Sequence, residues 1–297
     1  MSDVAGAFDR AESREQFEEA GRRFGAAFER LQKYVEQIDS LGVSTSSSLS
    51  ADDRATARDP ISHQVQGALV VATDHMGALQ GLIAHGKTLP TFGAYSITRP
   101  ALEAVGSALW QLLPPSRDLR VMQSLQVMYE SERDLRVAAA EMTGSRPKAN
   151  DTIPTDDPLR GRIEELRDAR PALVGRRYES VASITQRLQY VDDHYGSHGM
   201  DRITGMWRVA SGLAHGRRSM STNALDRRIS GASEGRVNVV LSASLSSVWN
   251  IYDCAEKHLV RLMNLFEQRG QPRVSSEEKM ELPLWLSAPV CSPSRHQ

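Results

Sequence analysis

The sequence has few of the features that mark secreted, membrane-spanning or metal-binding proteins. Its two cysteines, Cys254 and Cys291, fit neither a disulfide framework nor a set of metal ligands, so the chain needs no oxidising compartment. The longest apolar stretches, such as 104–113, are about half as long as a membrane span. The first 20 residues are acidic and lack the apolar segment of a signal peptide. We therefore expect a cytoplasmic protein with no membrane contact.

The chain also lacks an excess of charge of either sign. Its 36 basic and 37 acidic residues leave a formal charge of −1, so no overall field attracts it to nucleic acid or anionic lipid. Hydrophobic residues make up 40% of the sequence, which is too many for a disordered chain. The length of 297 residues suffices for one large domain or two modest ones.

The apolar residues repeat at helical spacing along most of the chain. Two heptad seams lie near its ends, from Phe17 to Ile38 and from Leu245 to Phe266. Because a seam needs a partner helix, we expect these helices to pack on each other within one chain or across a dimer. We predict an all-α helical bundle of seven to eight helices with a small β-hairpin near 227–241.

Composition divides this predicted bundle into four segments. Residues 1–41 are the N-terminal heptad-bearing helix, and 42–59, rich in Ser, Thr and Asp, are expected to be a flexible linker. Residues 60–270 are the main helical domain, in which a proline at N1 and a capping box mark two helix starts, at Pro158 and after Ser183. Residues 271–297 are expected to be a Pro-containing C-terminal tail.

Residues 81–88 match the phosphate-loop pattern G-x-x-x-x-G-K-[ST]. That motif binds phosphate where a strand precedes the loop and a helix follows it, because backbone amides and a helix dipole must converge on the ligand. Here a helical pattern precedes the match, and Pro90 follows closely. We therefore interpret the segment as a helix end that runs into a turn, and we predict no nucleotide cofactor.

His194 and His198 have a spacing that brings two imidazoles to one metal ion when both lie on a helix. Gly196 and Gly199 interrupt the helical pattern at this point, which places the pair in a solvated loop. The sequence supplies no third ligand. We therefore predict neither a metal site nor any other cofactor.

The strongest chemical signal is a polar row on a helix predicted over about 201–215. Arg208, Ser211 and His215 fall on one face, and a different face carries an apolar set that comprises Ile203, Met206, Trp207, Ala210, Leu213 and Ala214. This row suits a phosphodiester, because arginine grips phosphate in a bidentate manner and histidine moves protons near neutral pH. A structural role is the alternative, since a histidine before a glycine at a helix C-terminus is ordinary capping.

Two further features lie around this row. Six arginines against one aspartate give residues 202–228 a local charge of +5. Arg99 and Glu103, on an earlier predicted helix, have the spacing of a surface ion pair worth roughly a few tenths of a kcal/mol. Because the stretch that follows them is apolar, they are alternatively a buried polar pair that supports a site.

Arg208, six intervening residues and His215, at the end of a late helix in an all-α chain, resemble the R-x(4–6)-H signature of the HEPN superfamily. More closely, the stretch from Ser183 to Gly216 and Arg-Pro-Ala-Leu-Glu at 99–103 resemble uncharacterised bacterial proteins related to abortive-infection factors. Loosely, the likeness covers 60–268, and its specific part is short. Val209 departs from the pattern, because HEPN proteins usually have a polar residue directly after the arginine.

The resemblance implies a metal-independent endoribonuclease that acts as a homodimer, in phage defence or a toxin system. Arg208 would hold the scissile phosphate and His215 would assist attack by the 2′-hydroxyl. The remaining expected site residues are Ser211 in the catalytic row, Arg99 and Glu103 as supporting residues, and Arg202, Arg217 and Arg218 as RNA-binding residues.

The alternative function is a non-catalytic helical interaction or scaffold protein with a structural Arg/His pair. The nuclease requires a basic cleft that contains both Arg208 and His215. The scaffold requires His215 to be buried and hydrogen-bonded. These two requirements are open to inspection in a structure.

Overall fold

The computed structural model describes residues 10–144, 153–233 and 236–272. Ten α-helices lie in these ranges: α1 (Arg14–Ser40), α2 (Ser48–Ala55), α3 (Ile61–Gln80), α4 (Gly93–Leu112), α5 (Arg117–Met142), α6 (Pro158–Asp168), α7 (Ile184–Tyr195), α8 (Ile203–Ala214), α9 (Arg218–Ala224) and α10 (Leu245–Gly270). Strands β1 (Asp226–Ser233) and β2 (Arg236–Ser242) form an antiparallel hairpin between α9 and α10. The predicted all-α class and hairpin are confirmed, whereas the predicted count of seven to eight helices is too low.

Capping residues begin and end several helices where the sequence predicted. The Ser183 hydroxyl accepts a hydrogen bond from the backbone amide of Gln186, and the Gln186 side chain accepts one from the backbone amide of Ser183. A complete capping box therefore begins α7. Asp157 caps α6 through the amide of Leu159, with Pro158 at N1. α4 differs, because it begins at Gly93 without a side-chain cap and continues through Pro100. The carbonyl that loses its donor to this proline belongs to Ser96, which is exposed and can be hydrated.

The two heptad seams meet within one chain. Phe24 of α1 lies edge-on to Trp249 and Tyr252 of α10, with ring centroids 5.1 and 5.3 Å apart. Arg30 adds two hydrogen bonds of 2.7 and 2.8 Å to the buried carboxylate of Glu256. Residues of both seams belong to one core that also includes α3, α4, α7 and α8. Phe17, the first residue of the N-terminal seam, is 56% exposed, and the other seam residues are packed in the core. The seams therefore no longer supply an argument for a dimer.

The segment 42–59, expected to be a flexible linker, contains a helix that is tied to the bundle. Asp52 of α2 is fully buried and accepts hydrogen bonds of 2.6 and 3.0 Å from the buried Arg120 of α5. Arg117 contributes a third bond of 3.1 Å to the same carboxylate. The linker prediction is wrong because this polar helix is held by an ion pair with a distant helix, which local composition does not reveal.

α4 is central to the main core, and a glycine sets how closely its neighbours approach. A Cβ atom built on Gly106 would lie 2.1 Å from Leu188 Cδ2 of α7 and 3.2 Å from Ile203 Cδ1 of α8. A second, smaller cluster of buried residues joins α5 to α6 around Tyr178. None of the helices in the described ranges is long and apolar enough to cross a membrane.

Candidate functional site

The packing of α4 against α8 brings together two segments that the sequence singled out separately. Arg99 Nη1 of α4 lies 3.0 Å from Nε2 of His215, which caps the C-terminal end of α8. Arg99 Nε also donates to Glu103 Oε1 at 2.8 Å. The indole N–H of Trp207 donates to that same Glu103 oxygen at 2.6 Å. These four side chains, which we call the Arg99–His215 cluster, are the candidate site.

Helix ends fix the position of His215. The buried carboxylate of Asp192 accepts the backbone amides of Ile203 and Thr204 at 2.8 and 3.1 Å, so it caps the N-terminus of α8. At the other end Gly216 has a φ of +61°, a left-handed conformation that glycine adopts at little cost. The His215 amide donates to the carbonyl of Ser211 at 3.1 Å. The imidazole is therefore held at the end of a short helix that is capped at both ends.

The contact with Arg99 defines the proton arrangement on the His215 ring. A guanidinium carries hydrogen-bond donors and no acceptor, so Nε2 must offer its lone pair in this contact. In a neutral imidazole the proton then resides on Nδ1. Nε2 is consequently the nitrogen able to accept a proton, and the Arg99 guanidinium is in contact with it.

Arg99 and Glu103 are half-buried, with side-chain exposures of 28% and 29%. The predicted ion pair between them is present, and its environment falls between the two alternatives drawn from the sequence. Solvent screening keeps such a pair near 1 kcal/mol or below. Its clearer effect is orientation, because Glu103 fixes Nε of Arg99 while Nη1 reaches the histidine.

Arg208 and Ser211 are placed on α8 as predicted, but neither hydrogen-bonds the His215 ring. Arg208 is exposed and makes no hydrogen bond or ion pair with any residue that the structure describes. The Ser211 hydroxyl is half-buried and likewise has no partner in the described ranges. The arginine in contact with His215 is thus Arg99, from a different helix. A structural His215 was expected to be both buried and hydrogen-bonded. The observed side chain is hydrogen-bonded but exposed, so it meets only one of these two conditions.

The three arginines expected to bind RNA are all on the surface. Arg202 is 48% exposed and lies 3.6 Å from Asp192. Arg217 and Arg218 are exposed at the start of α9, and their guanidinium groups have no partner among the described residues. Together with Arg208, they leave three uncompensated positive charges on the chain segment that carries His215.

The segment 81–88, which matches the phosphate-loop pattern, lies at the end of a helix, as predicted. α3 passes directly into a single π-helical turn, Gly81–His85, with no strand before it. The amides of Gly86 and Thr88 donate to the carbonyls of Gly81 and Leu82 at 2.9 and 3.0 Å. These amides are therefore already satisfied, whereas a phosphate loop must point its amides at the ligand.

His194 and His198 are separated by the end of a helix. His194 lies in the last turn of α7, Gly196 adopts a φ of +57°, and His198 follows in the loop. Both side chains are exposed. Within the parts of the chain that the structure describes, no three histidine, cysteine, aspartate or glutamate residues are grouped as ligands for a metal ion.

Sequence reasoning missed the role of Trp207. It placed this residue on the apolar face of α8, whereas its half-buried indole is a donor to Glu103. A tryptophan at the edge of a core usually needs an acceptor for its N–H, and that need was the available signal. The identity of the acceptor depends on the packing of α4, which the sequence does not state.

A second arginine–histidine contact, in α10, shows what a structural pair looks like in this fold. His258 is fully buried, its Nδ1–H donates to the carbonyl of Cys254 at 2.8 Å, and Arg261 lies 3.1 Å from its Nε2. Burial lowers the pKa of His258 to about 4. Burial also raises the pKa of the Cys254 thiol far above its ordinary value. His258 and Cys254 are closed off from solvent, in contrast to the exposed His215.

Comparison with known proteins adds no relative to these observations. No model of a known protein family matches the chain, and neither does any curated protein or any solved structure.

Proposed function

We propose that the chain is a HEPN-like, metal-independent endoribonuclease whose scissile phosphodiester binds at the Arg99–His215 cluster. The observation that carries this proposal is the 3.0 Å contact between Arg99 and His215, which are 116 residues apart. It unites an arginine and a histidine from two segments that the sequence had already connected with the same group of proteins. A guanidinium beside an imidazole is a suitable pair for phosphate binding and proton transfer.

The cluster supports a specific proton transfer. A phosphate oxygen that binds the Arg99 guanidinium competes with His215 for Nη1 and so frees Nε2. Nε2 then accepts the proton of the 2′-hydroxyl while the 2′-oxygen bonds to phosphorus and the bond from phosphorus to the 5′-oxygen breaks. The products are a 2′,3′-cyclic phosphate and a 5′-hydroxyl. Glu103 keeps Arg99 in place through its bond to Nε.

The leaving 5′-oxygen needs a proton from a second group. We propose a homodimer because a second copy would supply a second imidazole for this step. Arg208, Arg217 and Arg218 are without partners in the described ranges, so they remain available to bind the RNA backbone, with Arg202 at the edge of the same surface. In the cell, this activity would serve phage defence or a toxin system.

The test is cleavage of single-stranded RNA by the purified protein in EDTA. We expect products with 2′,3′-cyclic ends, and we expect His215→Ala to abolish them while the melting temperature changes little, because His215 is exposed. His198→Ala is the matched control, since His198 is another exposed histidine, four residues beyond His194 and outside the cluster. Absence of cleavage by the wild-type protein, or full activity in His215→Ala, would refute the proposal.

A non-catalytic interaction or scaffold role is the second candidate, and the hydrogen-bonded state of His215 favours it. In that role Trp207, Glu103, Arg99 and His215 serve to lock α4 to α8. His215→Ala would then lower the melting temperature, and the wild-type protein would leave RNA intact. The same two measurements therefore separate the two functions.

A further inference from the structure

A groove runs along α4 directly beside the Arg99–His215 cluster. It has a volume of about 340 Å³, near the lower end for small-molecule sites, and it lies between α3, α4 and α5. Its walls are aliphatic and are formed by Ala68, Val71, Pro100, Ala104, Ala108 and Val127. Glu103 belongs both to the cluster and to the groove. Glu103 thus connects the groove to Arg99, which in turn contacts His215.

Three polar residues of α4 line this groove in a row. Glu103, Ser107 and Gln111 are spaced four apart, so they share one face of the helix at intervals of about 6 Å. The Ser107 hydroxyl has no hydrogen-bond partner in the described part of the chain. The Glu103 oxygen Oε2 is similarly unpaired there, because Oε1 takes both Arg99 and Trp207.

The third group of the row, the Gln111 amide, presents an acceptor. Gln64 Nε2 donates to the backbone carbonyl of Asp59 at 2.9 Å and to the Ser124 hydroxyl at 2.8 Å, which fixes the orientation of the Gln64 amide. Gln64 Oε1 must therefore accept, and Gln111 Nε2 donates to it at 2.9 Å. The Gln111 carbonyl oxygen is left without a partner among the described residues, on a side chain only 3% exposed. This oxygen keeps contact with solvent, so it can accept a hydrogen bond from an occupant of the groove.

We propose that the groove binds a nucleobase that carries an amino group: cytosine, adenine or guanine in preference to uracil. Aliphatic walls suit the faces of a flat heterocycle, and the acceptor oxygens of Glu103 and Gln111 suit its N–H donors. Uracil carries a carbonyl oxygen where cytosine carries its amino group, so it places an acceptor against acceptors. This inference rests on the proposed function, because the base would belong to the nucleotide whose 3′-phosphate lies at Arg99 and His215.

The sharpest test compares cytidine 3′-monophosphate with uridine 3′-monophosphate, because the two differ in the amino and carbonyl groups at one ring position. Binding is measured by titration calorimetry on the full chain in EDTA. We expect the cytidine nucleotide to bind about ten-fold more tightly, in line with the discrimination that one base-edge contact provides. Ser107→Ala should leave this ratio unchanged, because a hydroxyl can accept from cytosine and donate to uracil, and the hydroxyl has no partner to lose among the described residues.

Ala104→Leu supplies a second, independent variant, because a leucine at this half-buried wall position fills the groove without disturbing helix propensity. It should remove the preference for cytidine. Ala139→Leu, at an exposed alanine of α5 outside the groove, is the matched control and should retain it. Equal binding of the two nucleotides, no binding of either, or a preference that survives Ala104→Leu would overturn the inference.

The RNA cleavage assay distinguishes an error in the groove inference from an error in the proposed nuclease function. If RNA is cut in EDTA with no preference between cytidine and uridine, the groove inference falls and the nuclease stands. If the cytidine nucleotide binds selectively and Ala104→Leu removes that selectivity while no RNA is cut, the groove stands and the nuclease falls.

Discussion

Trp207 Nε1 lies 2.6 Å from Glu103 Oε1, the same oxygen that accepts Arg99 Nε at 2.8 Å. One carboxylate oxygen of α4 therefore accepts two hydrogen bonds, one from α8 and one from its own helix. This shared acceptor determines where the Arg99 guanidinium lies, and through it the environment of His215. The relationship makes Trp207 a positioning residue for the proposed site.

Trp207→Phe tests this role by removing the indole N–H while it keeps an aromatic ring. We expect a loss of about 1 kcal/mol in the free energy of unfolding, the usual contribution of one hydrogen bond. RNA cleavage should fall several-fold, because Arg99 loses part of the support that orients it. Urea denaturation and the cleavage rate in EDTA measure the two effects. An unchanged cleavage rate would show that Glu103 holds Arg99 without help from Trp207.

Gly106→Ala tests the close packing of α7 and α8 on α4. The new methyl would lie 2.1 Å from Leu188 Cδ2, in a core where Leu188 is fully buried and has little room to move. Overpacking of this kind costs about 1 to 3 kcal/mol, and we expect that loss in the free energy of unfolding.

Gly67→Ala is the matched control for this substitution. Gly67 is an exposed residue of α3, and apart from the adjacent residues and backbone of its own helix, no described atom lies within 4 Å of the position that a new methyl group would take there. Replacing a mid-helix glycine should stabilise the protein by about 0.5 to 1 kcal/mol. Urea midpoints that shift in the same direction for both variants would contradict the packing account.

His258 makes the stability of the fold depend on pH. Burial lowers its pKa from 6.5 to about 4, so the unfolded chain binds a proton between those values that the folded chain does not. The contribution of a neutral His258 is complete above about pH 6.5 and declines as the pH falls towards 4, a loss of roughly 3 kcal/mol.

His258→Asn is the variant that isolates this effect. Asparagine removes the titrating ring, and its amide nitrogen retains a donor close to the position from which Nδ1–H reaches the Cys254 carbonyl. We expect the variant to be less stable at pH 7 and to lose less stability between pH 6.5 and 4 than the wild type. Chemical denaturation at several pH values measures both slopes. Equal slopes would assign the acid sensitivity to other groups.

The sequence predicted the long helices well, since their apolar period and caps are local features. α10 begins at Leu245, the first residue of the predicted seam, and continues past Phe266, the last. α2 and α9 were missed because each is too short to show an apolar period. The buried Asp52 ties α2 to α5, and Met220 and Ala224 pack α9 on the main core. Periodicity cannot reveal a helix that is held by a polar contact.

The candidate site was predicted only in its parts. The local patterns identified Arg99 with Glu103 and, separately, Arg208 with His215. The contact between Arg99 and His215 depends on the packing of α4 against α8, which is a tertiary feature with no local signal. Arg208 was the expected partner of His215. It is instead an exposed surface residue that makes no hydrogen bond or ion pair with any described residue.

Arg99→Lys tests the central contact while it preserves the charge. The guanidinium of Arg99 makes two directed bonds, from Nε to Glu103 and from Nη1 to His215, and an ammonium group cannot reproduce this fork. If Arg99 also grips the scissile phosphate, cleavage in EDTA should fall by about 100-fold, the typical scale for one lost electrostatic contact in a transition state. Circular dichroism and the melting temperature should change little, because the side chain is half-buried at the surface.

Arg14→Lys serves as the control for this last substitution, because Arg14 is 92% exposed on α1 and pairs with Glu18 of the same helix. It should leave cleavage unchanged. Arg208→Lys distinguishes two kinds of arginine at the site: a bidentate phosphate ligand would lose activity as Arg99 does, whereas a residue that only attracts the RNA backbone would retain it, because an ammonium supplies the same charge. A fully active Arg99→Lys protein would remove Arg99 from the mechanism, and His215 would then need another cation beside the phosphate.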